Sequence, residues 1–394
     1  MVIFKPFPGY RPVLKDGESI DDRISPPYDV ISPEELRKLQ SRPGNVTRIT
    51  LRSVDGNYHE ARKELDSWIS EGLLQRDDDC FYLYEQAFKV SEKEYLRSGI
   101  VGVLKTEPYS EGNIIPHEET FPKVKEDRLK LLRDTETHCE SIFGISEGLD
   151  EELQRDIAAV AEPVYETVDN NGVTHRLSLI RDDGVKKRIE DALRTQRILI
   201  ADGHHRFETA CSYGEENPDK ESKQYVLATL VASNDPGLVV WPTHRLIRCR
   251  DFQEEPFISS LNEELETIEC DGIKDMEYQM SQGADIGIIL RSGRTFVAYV
   301  PEEDDPLRSL DTYVAQERIM NGILGRDNID VDYEASLKKA EERMKTEDYD
   351  LAIVFNPPRM EKIWSVSLQG KRMPKKSTYF FPKIWSGFVY YRMD

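Results

Sequence analysis

Residues Asp202-Gly203-His204-His205-Arg206 put a carboxylate, two imidazoles and a guanidinium within five consecutive positions. An apolar run, Ile198-Leu199-Ile200-Ala201, precedes them. Phe207, Ala210 and Cys211 follow at helical spacing, so they line one face of a helix, and Gly214 is placed to end it. The pattern predicts strand, turn, helix. A helix N-terminus presents backbone N–H groups carrying partial positive charge, which makes it an anion site. Gly203 lets the backbone approach a ligand closely. His204, His205 and Arg206 add donors for a phosphate, and arginine can grip one with two bonds. Asp202 could hold Mg²⁺ directly or through water. A capped helix with ordinarily bonded histidines is the plain alternative. Zinc is a weaker rival, because adjacent histidines do not readily share one ion and no third ligand stands nearby in sequence.

Two more clusters carry titratable or cationic groups. Pro116-His117-Glu118-Glu119-Thr120 is followed by Lys125, Asp127 and Arg128. A carboxylate beside a histidine can act as a general base. Lys125 and Arg128, three apart, share a helix face. Met373-Pro374-Lys375-Lys376-Ser377-Thr378-Tyr379-Phe380-Phe381-Pro382-Lys383 is a basic island that reads as a phosphate contact or a charged edge strand. Trp241-Pro242-Thr243-His244-Arg245 repeats the His-Arg pairing, and Tyr28-Asp29 places an acid ahead of a capped helix.

Positioning these groups requires alternating helices and strands, hence an α/β fold. Ser32-Pro33-Glu34-Glu35 reads as a helix start with proline at the first position. The preceding Ser25–Ile31 segment is expected to be extended, since residues before proline avoid the helical region. Strands are expected at VTRITLRS, CFYLYEQAF, SGIVGVLKTE, SIFGIS, HRLSLI, RILIAD, VLATLVAS and DLAIVFNPP, with IGIIL and TFVAYV as a hairpin. Helices are expected over KVKEDRLKLLRDTETHCESI, with Leu129 and Leu132 inward, over VKKRIEDALR, and over LRSLDTYVAQERIMNGILG, stopped by Gly325. The acidic stretch Glu215–Lys220 is the expected boundary between residues 1–215 and a second α/β lobe, 216–394, whose MPKKSTYF segment returns to a cleft.

Composition narrows the function classes. The 394 residues carry a net charge of −21, which repels polyphosphate chains and argues against general nucleic-acid binding. No basic recognition helix is evident. The five cysteines are widely spaced with no CxxC pair, so neither a zinc knuckle nor a disulfide framework is signalled. No run of about 18 apolar residues spans a membrane. The chain reads as a soluble, cytoplasmic protein with no membrane partner.

SPPYDVIS, PHEET with KEDRL, ADGHHRFETA, DPGLVVWPTHR and MPKKSTYFFPK together resemble, in order, the landmarks of the family called domain of unknown function 1015. The Asp-Gly-His-His-Arg element is also similar to the phosphate-binding turn of the ParB/sulfiredoxin-like superfamily, some members of which phosphorylate free L-serine. The resemblance implies a mixed-sheet, two-lobed α/β protein with a ParB/sulfiredoxin-like nucleotide-binding core. It implies a kinase that makes O-phospho-L-serine from serine with ATP, or ADP, and Mg²⁺. Under it, Gly203, His204, His205 and Arg206 hold the nucleotide phosphates, supported by Lys125, Arg128 and Lys375. Asp202 holds the metal. Glu118, or else Asp29, takes the hydroxyl proton, with His205 also among the catalytic groups. His117, Thr120, Arg245 and Lys376 contact the substrate. A nucleotide-binding regulatory protein without transfer, and a metal-dependent hydrolase using His117, Glu118 and the histidine pair, are the alternatives.

Overall fold

The computed structural model describes residues 1–51, 58–120 and 122–393. The chain divides into two compact units. The first comprises Met1–Pro116, Thr120–Val239 and Pro382–Asp394; the second comprises His117–Glu119 and Val240–Phe381. The chain therefore leaves the first unit at Val239, not near residue 215. The physical reason is the strand Tyr225–Ala232, whose residues are all buried inside the first unit's sheet.

Nine strands form that sheet. Along the chain they are β1 (Phe4–Lys5), β2 (Phe81–Val90), β3 (Lys93–Lys105), β4 (Ile114–Pro116), β5 (Ile142–Ser146), β6 (Glu162–Val168), β7 (Thr174–Ile180), β8 (Ile198–Asp202) and β9 (Tyr225–Ala232). Their spatial order is β4-β8-β5-β9-β3-β2-β7-β6, with β1 on β3. The β4–β8 and β5–β9 pairs are parallel and the other pairs antiparallel, so the sheet is mixed. Ile198 and Ile200 of β8 share one core with Leu153 and Ile157, Val185, Ile189 and Leu193, and Phe207 and Ala210, from three helices. This is the period-2 face of a strand meeting the period-3.6 faces of helices. The helix Asp183–Leu193 starts where Asp182 accepts a bond from the Val185 N–H.

The second unit holds a six-stranded antiparallel sheet: β10 (His244–Cys249), β11 (Glu266–Cys270), β12 (Ile286–Leu290), β13 (Thr295–Tyr299), β14 (Ile329–Glu334) and β15 (Leu351–Phe355), in the order β11-β13-β12-β15-β10-β14. One face packs Phe257, Leu261, Val314 and Ile319; the other packs Met276, Met280, Ala340 and Met344. The expected β12–β13 hairpin is present. The expected amphipathic helix begins at Asp311 and continues as a π-helix over Ala315–Gly325.

Several sequence expectations fail. The helix expected over 123–142 ends at Thr135, and Thr137–His138 instead pairs as a strand with Tyr391–Arg392. Thr47–Thr50, within the expected strand VTRITLRS, is a short helix. Fully buried Asn45 explains it: its Oδ1 accepts from the Thr47 N–H and hydroxyl, at 3.1 and 2.7 Å, and fixes a turn where alternation alone suggested a strand. The end of VTRITLRS, from Arg52, lies outside the described residues. Within SPPYDVI, Pro27 is extended but Tyr28–Val30 closes a 3₁₀ turn, because a proline restricts only its predecessor. Ser32 caps the helix Pro33–Gln40 through the Glu35 N–H, as expected. In the helix Pro122–Thr135, Leu132 is buried as expected, while Leu129 is only partly so; Arg128 and Leu131 take the inner face beside Leu132.

Candidate functional site

β8 ends at Asp202, Gly203 turns the chain, and the helix His204–Glu215 begins at once. Gly203 is the helix N-cap with φ +88°, in the left-handed region that favours glycine. A Cβ there would stand 3.0 Å from both Nε and Nη2 of Arg206. The position therefore needs glycine twice over, for its dihedral and for its close neighbour.

Asp202 is the electrostatic centre of the turn. Its Oδ1 accepts from Lys383 Nζ at 2.7 Å, and its Oδ2 from Arg206 Nη2 at 2.7 Å. Burial pushes the carboxyl up, but the charges of Lys383 and Arg206 outweigh it and hold Asp202 well below the usual carboxylate range. Arg206 also donates to the Ser141 carbonyl. Burial opposes its charge, and Asp202, Glu140, Tyr28 and Asp29 restore it. His204 is buried, whereas His205 is half-exposed.

Arg128 lies behind the turn. It is 5% exposed, donates to Tyr58 Oη and the Thr50 carbonyl at 3.0 Å each, and stacks under the Tyr28 ring at 4.7 Å. Glu140, also buried, lies 3.8 Å from Arg128. A cavity of about 30 Å³ is lined by Arg128, Glu140, Arg206, His138, Thr209 and Thr50, among others. Arg206 Nε and His138 Nε2 are buried with no hydrogen-bond partner among the described residues. Such a space, with a few polar atoms in mainly apolar walls, is large enough for a single ordered water. Burial pushes the His138 imidazole down to about 4, and the Arg206 charge adds to the effect.

Thr120 and Lys125 meet on the same helix: both bond Glu208 Oε2, at 2.9 and 2.8 Å. Lys125 is thus neutralised by an acid one turn beyond His204. Lys125 bonds Glu208 while Arg128 is buried, so the two do not present one common cationic face in this structure.

The remaining candidates form a separate constellation in the second unit. Glu118 Oε1 accepts from the N–H groups of Ser377 and Thr378, both at 3.1 Å, and from Thr378 Oγ1 at 3.0 Å; Oε2 accepts from the Lys376 N–H at 3.3 Å. Fully buried His117 has Nε2 at 2.8 Å from Thr378 Oγ1. With the threonine proton given to Glu118, His117 Nε2 must be the donor in that contact. Arg245, 1% exposed, donates to the carbonyls of Lys376 at 3.0 Å and Lys375 at 3.4 Å, and to that of Thr243. Its guanidinium is spent on the backbone, so it supports the Lys375–Thr378 turn and is not presented to a substrate carboxylate. Glu118 is likewise engaged by four donors, which suits an anchored carboxylate better than a general base.

Asp202 does not fit a resident magnesium ligand either, since both its oxygens already hold cations. No group of three His, Cys, Asp or Glu side chains converges on a metal position among the described residues. Sequence reasoning gave no role to Lys383, Glu140, His138, Tyr58, Glu208 or Thr378. Only Lys383 and Thr378 carried a signal, as members of the basic island. Among the described residues no helix is long and apolar enough to cross a membrane.

The chain is a mixed α/β protein with a strand–glycine–helix turn over a buried ion network. The chain belongs to the family described as a protein of unknown function, DUF1015, whose model matches residues 4–313. Among solved structures it is similar to a free serine kinase in complex with AMP, at 14% identity over 68% of this chain and 83% of that one, TM-score 0.40. It is also similar to a conserved hypothetical protein from Pyrococcus furiosus, at 14% over 70% and 93%, TM-score 0.39. A third is SbnI with a C-terminal truncation from Staphylococcus aureus, at 11% over 73% and 85%, TM-score 0.40. No curated protein matches it.

Proposed function

We propose that this protein is a small-molecule kinase that holds a nucleotide by the turn Asp202–Arg206 and phosphorylates a free hydroxyl, with L-serine as the first acceptor to test. The observation that carries this reading is the Gly203 turn at a helix N-terminus, braced from below by Arg206 and Lys383 on Asp202. Phosphoryl transfer asks a protein chiefly for positioned donors and a stable electrostatic frame. The turn's backbone and the half-exposed His205 supply the donors. The Lys383–Asp202–Arg206 network fixes the frame. Arg128 and Glu140 extend it inward.

In this reading the acceptor oxygen forms a bond to the γ-phosphorus of ATP, the bond from that phosphorus to the β–γ bridging oxygen breaks, and ADP leaves. The hydroxyl proton passes to a carboxylate. We assign that role to Asp29, which is exposed, belongs to the first unit and contributes to the field at Arg206. With ADP as donor the same step releases AMP.

The test is direct. The full chain is incubated with Mg²⁺, ATP or ADP, and a panel of small alcohols including L-serine, and phosphorylated product is sought by mass spectrometry. Phosphoserine formation that His205→Ala lowers and Asp29→Asn reduces by about 10²-fold or more, with nucleotide binding retained in the latter, supports the kinase. Nucleotide binding that needs Arg206, with no product from any acceptor, replaces it with a regulatory nucleotide-binding protein.

A further inference from the structure

Asp169, His175 and Tyr84 form a buried relay of hydrogen bonds inside the first unit. Asp169 stands in the turn between β6 and β7, where its Oδ1 accepts from the N–H groups of Asn171 at 2.8 Å and Val173 at 2.9 Å. Its Oδ2 lies 3.3 Å from His175 Nε2, and His175 Nδ1 lies 2.7 Å from Tyr84 Oη. Both His175 and Tyr84 are buried. Burial pushes the Asp169 carboxyl up, but His175 and the two N–H groups outweigh it and hold it below its ordinary value. An ionised carboxylate only accepts. His175 Nε2 therefore carries the ring proton, Nδ1 takes the tyrosine proton, and the Tyr84 oxygen is left to accept from a further donor. That donor is the Trp385 N–H, at 3.3 Å.

The relay thus ends on the segment that carries Lys383. Arg97, Gln86 and His175 stand in one row across β3, β2 and β7. Residues 382–385 lie over that row. Arg97 donates to the Pro382 carbonyl, Gln86 donates to the Lys383 carbonyl at 2.8 Å, and the His175 ring stands 4.8 Å from the Trp385 ring. Proline offers no N–H, so Tyr84 adds what the two carbonyl contacts lack, a hold on a backbone donor of this segment. From there the Lys383 side chain reaches Asp202 at 2.7 Å.

We propose that Tyr84 and His175 are positioning residues for the Asp202–Arg206 turn: His175, oriented by Asp169, takes the Tyr84 proton, Tyr84 holds the Trp385 N–H, and Lys383 is thereby set on Asp202. The proposal rests on the kinase reading only for what the turn binds.

A double-mutant cycle in urea unfolding of the full chain tests it. In the Tyr84→Phe background, Lys383→Met should cost about half or less of what it costs in the unaltered chain, because Lys383 is already displaced. Tyr82→Phe, on the same face of β2, is the control. It also removes a buried hydroxyl, one that bonds Asp77 at 3.1 Å, and should leave the cost of Lys383→Met unchanged. Additive losses for Tyr84→Phe with Lys383→Met overturn the proposal, and so does an equal coupling for Tyr82→Phe. Nitrogen-15 NMR of the histidine-labelled, unaltered chain gives a second readout that survives a poorly folding variant. It should find the His175 proton on Nε2 and Nδ1 bare; a proton on Nδ1 overturns the relay. Coupling without phosphorylated product removes the kinase and keeps this proposal, whereas product with additive losses does the reverse.

Discussion

Replacing Lys383 with methionine should expose how much the first unit's turn depends on its ion network. The Lys383–Asp202 contact is 2.7 Å, with side-chain exposures of 11% and 22%. At an effective dielectric of about 20, two charges about 3 Å apart attract by roughly 5 kcal/mol. Desolvation of the ammonium group cancels part of this. Removing one partner of a buried pair typically costs about 3–5 kcal/mol. Asp202 keeps Arg206 and some solvent, so about 2–3 kcal/mol is the expected loss. The pH dependence follows from Asp202, whose carboxyl is held below its ordinary value of 3.8. Its stabilisation is fully present above 3.8 and fades as pH falls through the depressed folded value. The Lys383→Met and unaltered chains should therefore differ most near neutrality and converge in acid. Urea unfolding at a series of pH values reads both effects. A neutral-pH difference under about 0.5 kcal/mol, or a gap that acid does not narrow, would refute the reasoning.

Other outcomes follow from single residues. Gly203→Ala should cost about 1–2 kcal/mol for its left-handed dihedral and displace Arg206, so weaker nucleotide binding should accompany a lower melting temperature; unchanged binding counts against the turn. His138 and His244 are both pushed down to about 4 by burial, from an ordinary 6.5. The unfolded chain takes up these protons first, so each should cost up to about 3 kcal/mol as pH falls from 6.5 to 4, and a His138→Gln, His244→Gln double variant should show a flatter stability–pH curve over that window. Asn45→Ala strips bonds from the Asp22 and Ile24 carbonyls and from Thr47, and should lower stability by about 2–4 kcal/mol in the same unfolding assay.

What could be read from the sequence was what is contiguous in it. β5, β8, β9 and β15 are mostly apolar runs, and buried strands of this kind declare themselves. The Asp-Gly-His-His-Arg turn was legible because strand, glycine and helix lie side by side. Its electrostatics were not. Lys383 reaches Asp202 across 181 positions, and Thr378 reaches Glu118 across 260, so no local pattern announces either contact. Residue types also misled where a carbonyl was the partner. Arg245 resembles a ligand for an anion in sequence, but it satisfies three backbone oxygens. The short helix at Thr47–Thr50 was hidden because one buried amide, Asn45, overrode a β-branched pattern.

Residues Pro382–Asp394 belong to the first unit although 142 positions of the second, Val240–Phe381, come before them. A ribosome making this chain releases the sheet β1–β9 long before the segment that completes it. Until that segment emerges, Asp202 lacks Lys383, Arg97 lacks the Pro382 carbonyl, Gln86 lacks the Lys383 carbonyl, and Thr137–His138 lack their strand partners Tyr391–Arg392. Residues translated after the whole second unit are thus the ones that close the ion network beneath the Asp202–Arg206 turn. A product cut short at Phe381 retains every residue of Asp-Gly-His-His-Arg and loses the lysine that holds its aspartate, so translation past Lys383 becomes a checkpoint on the site itself.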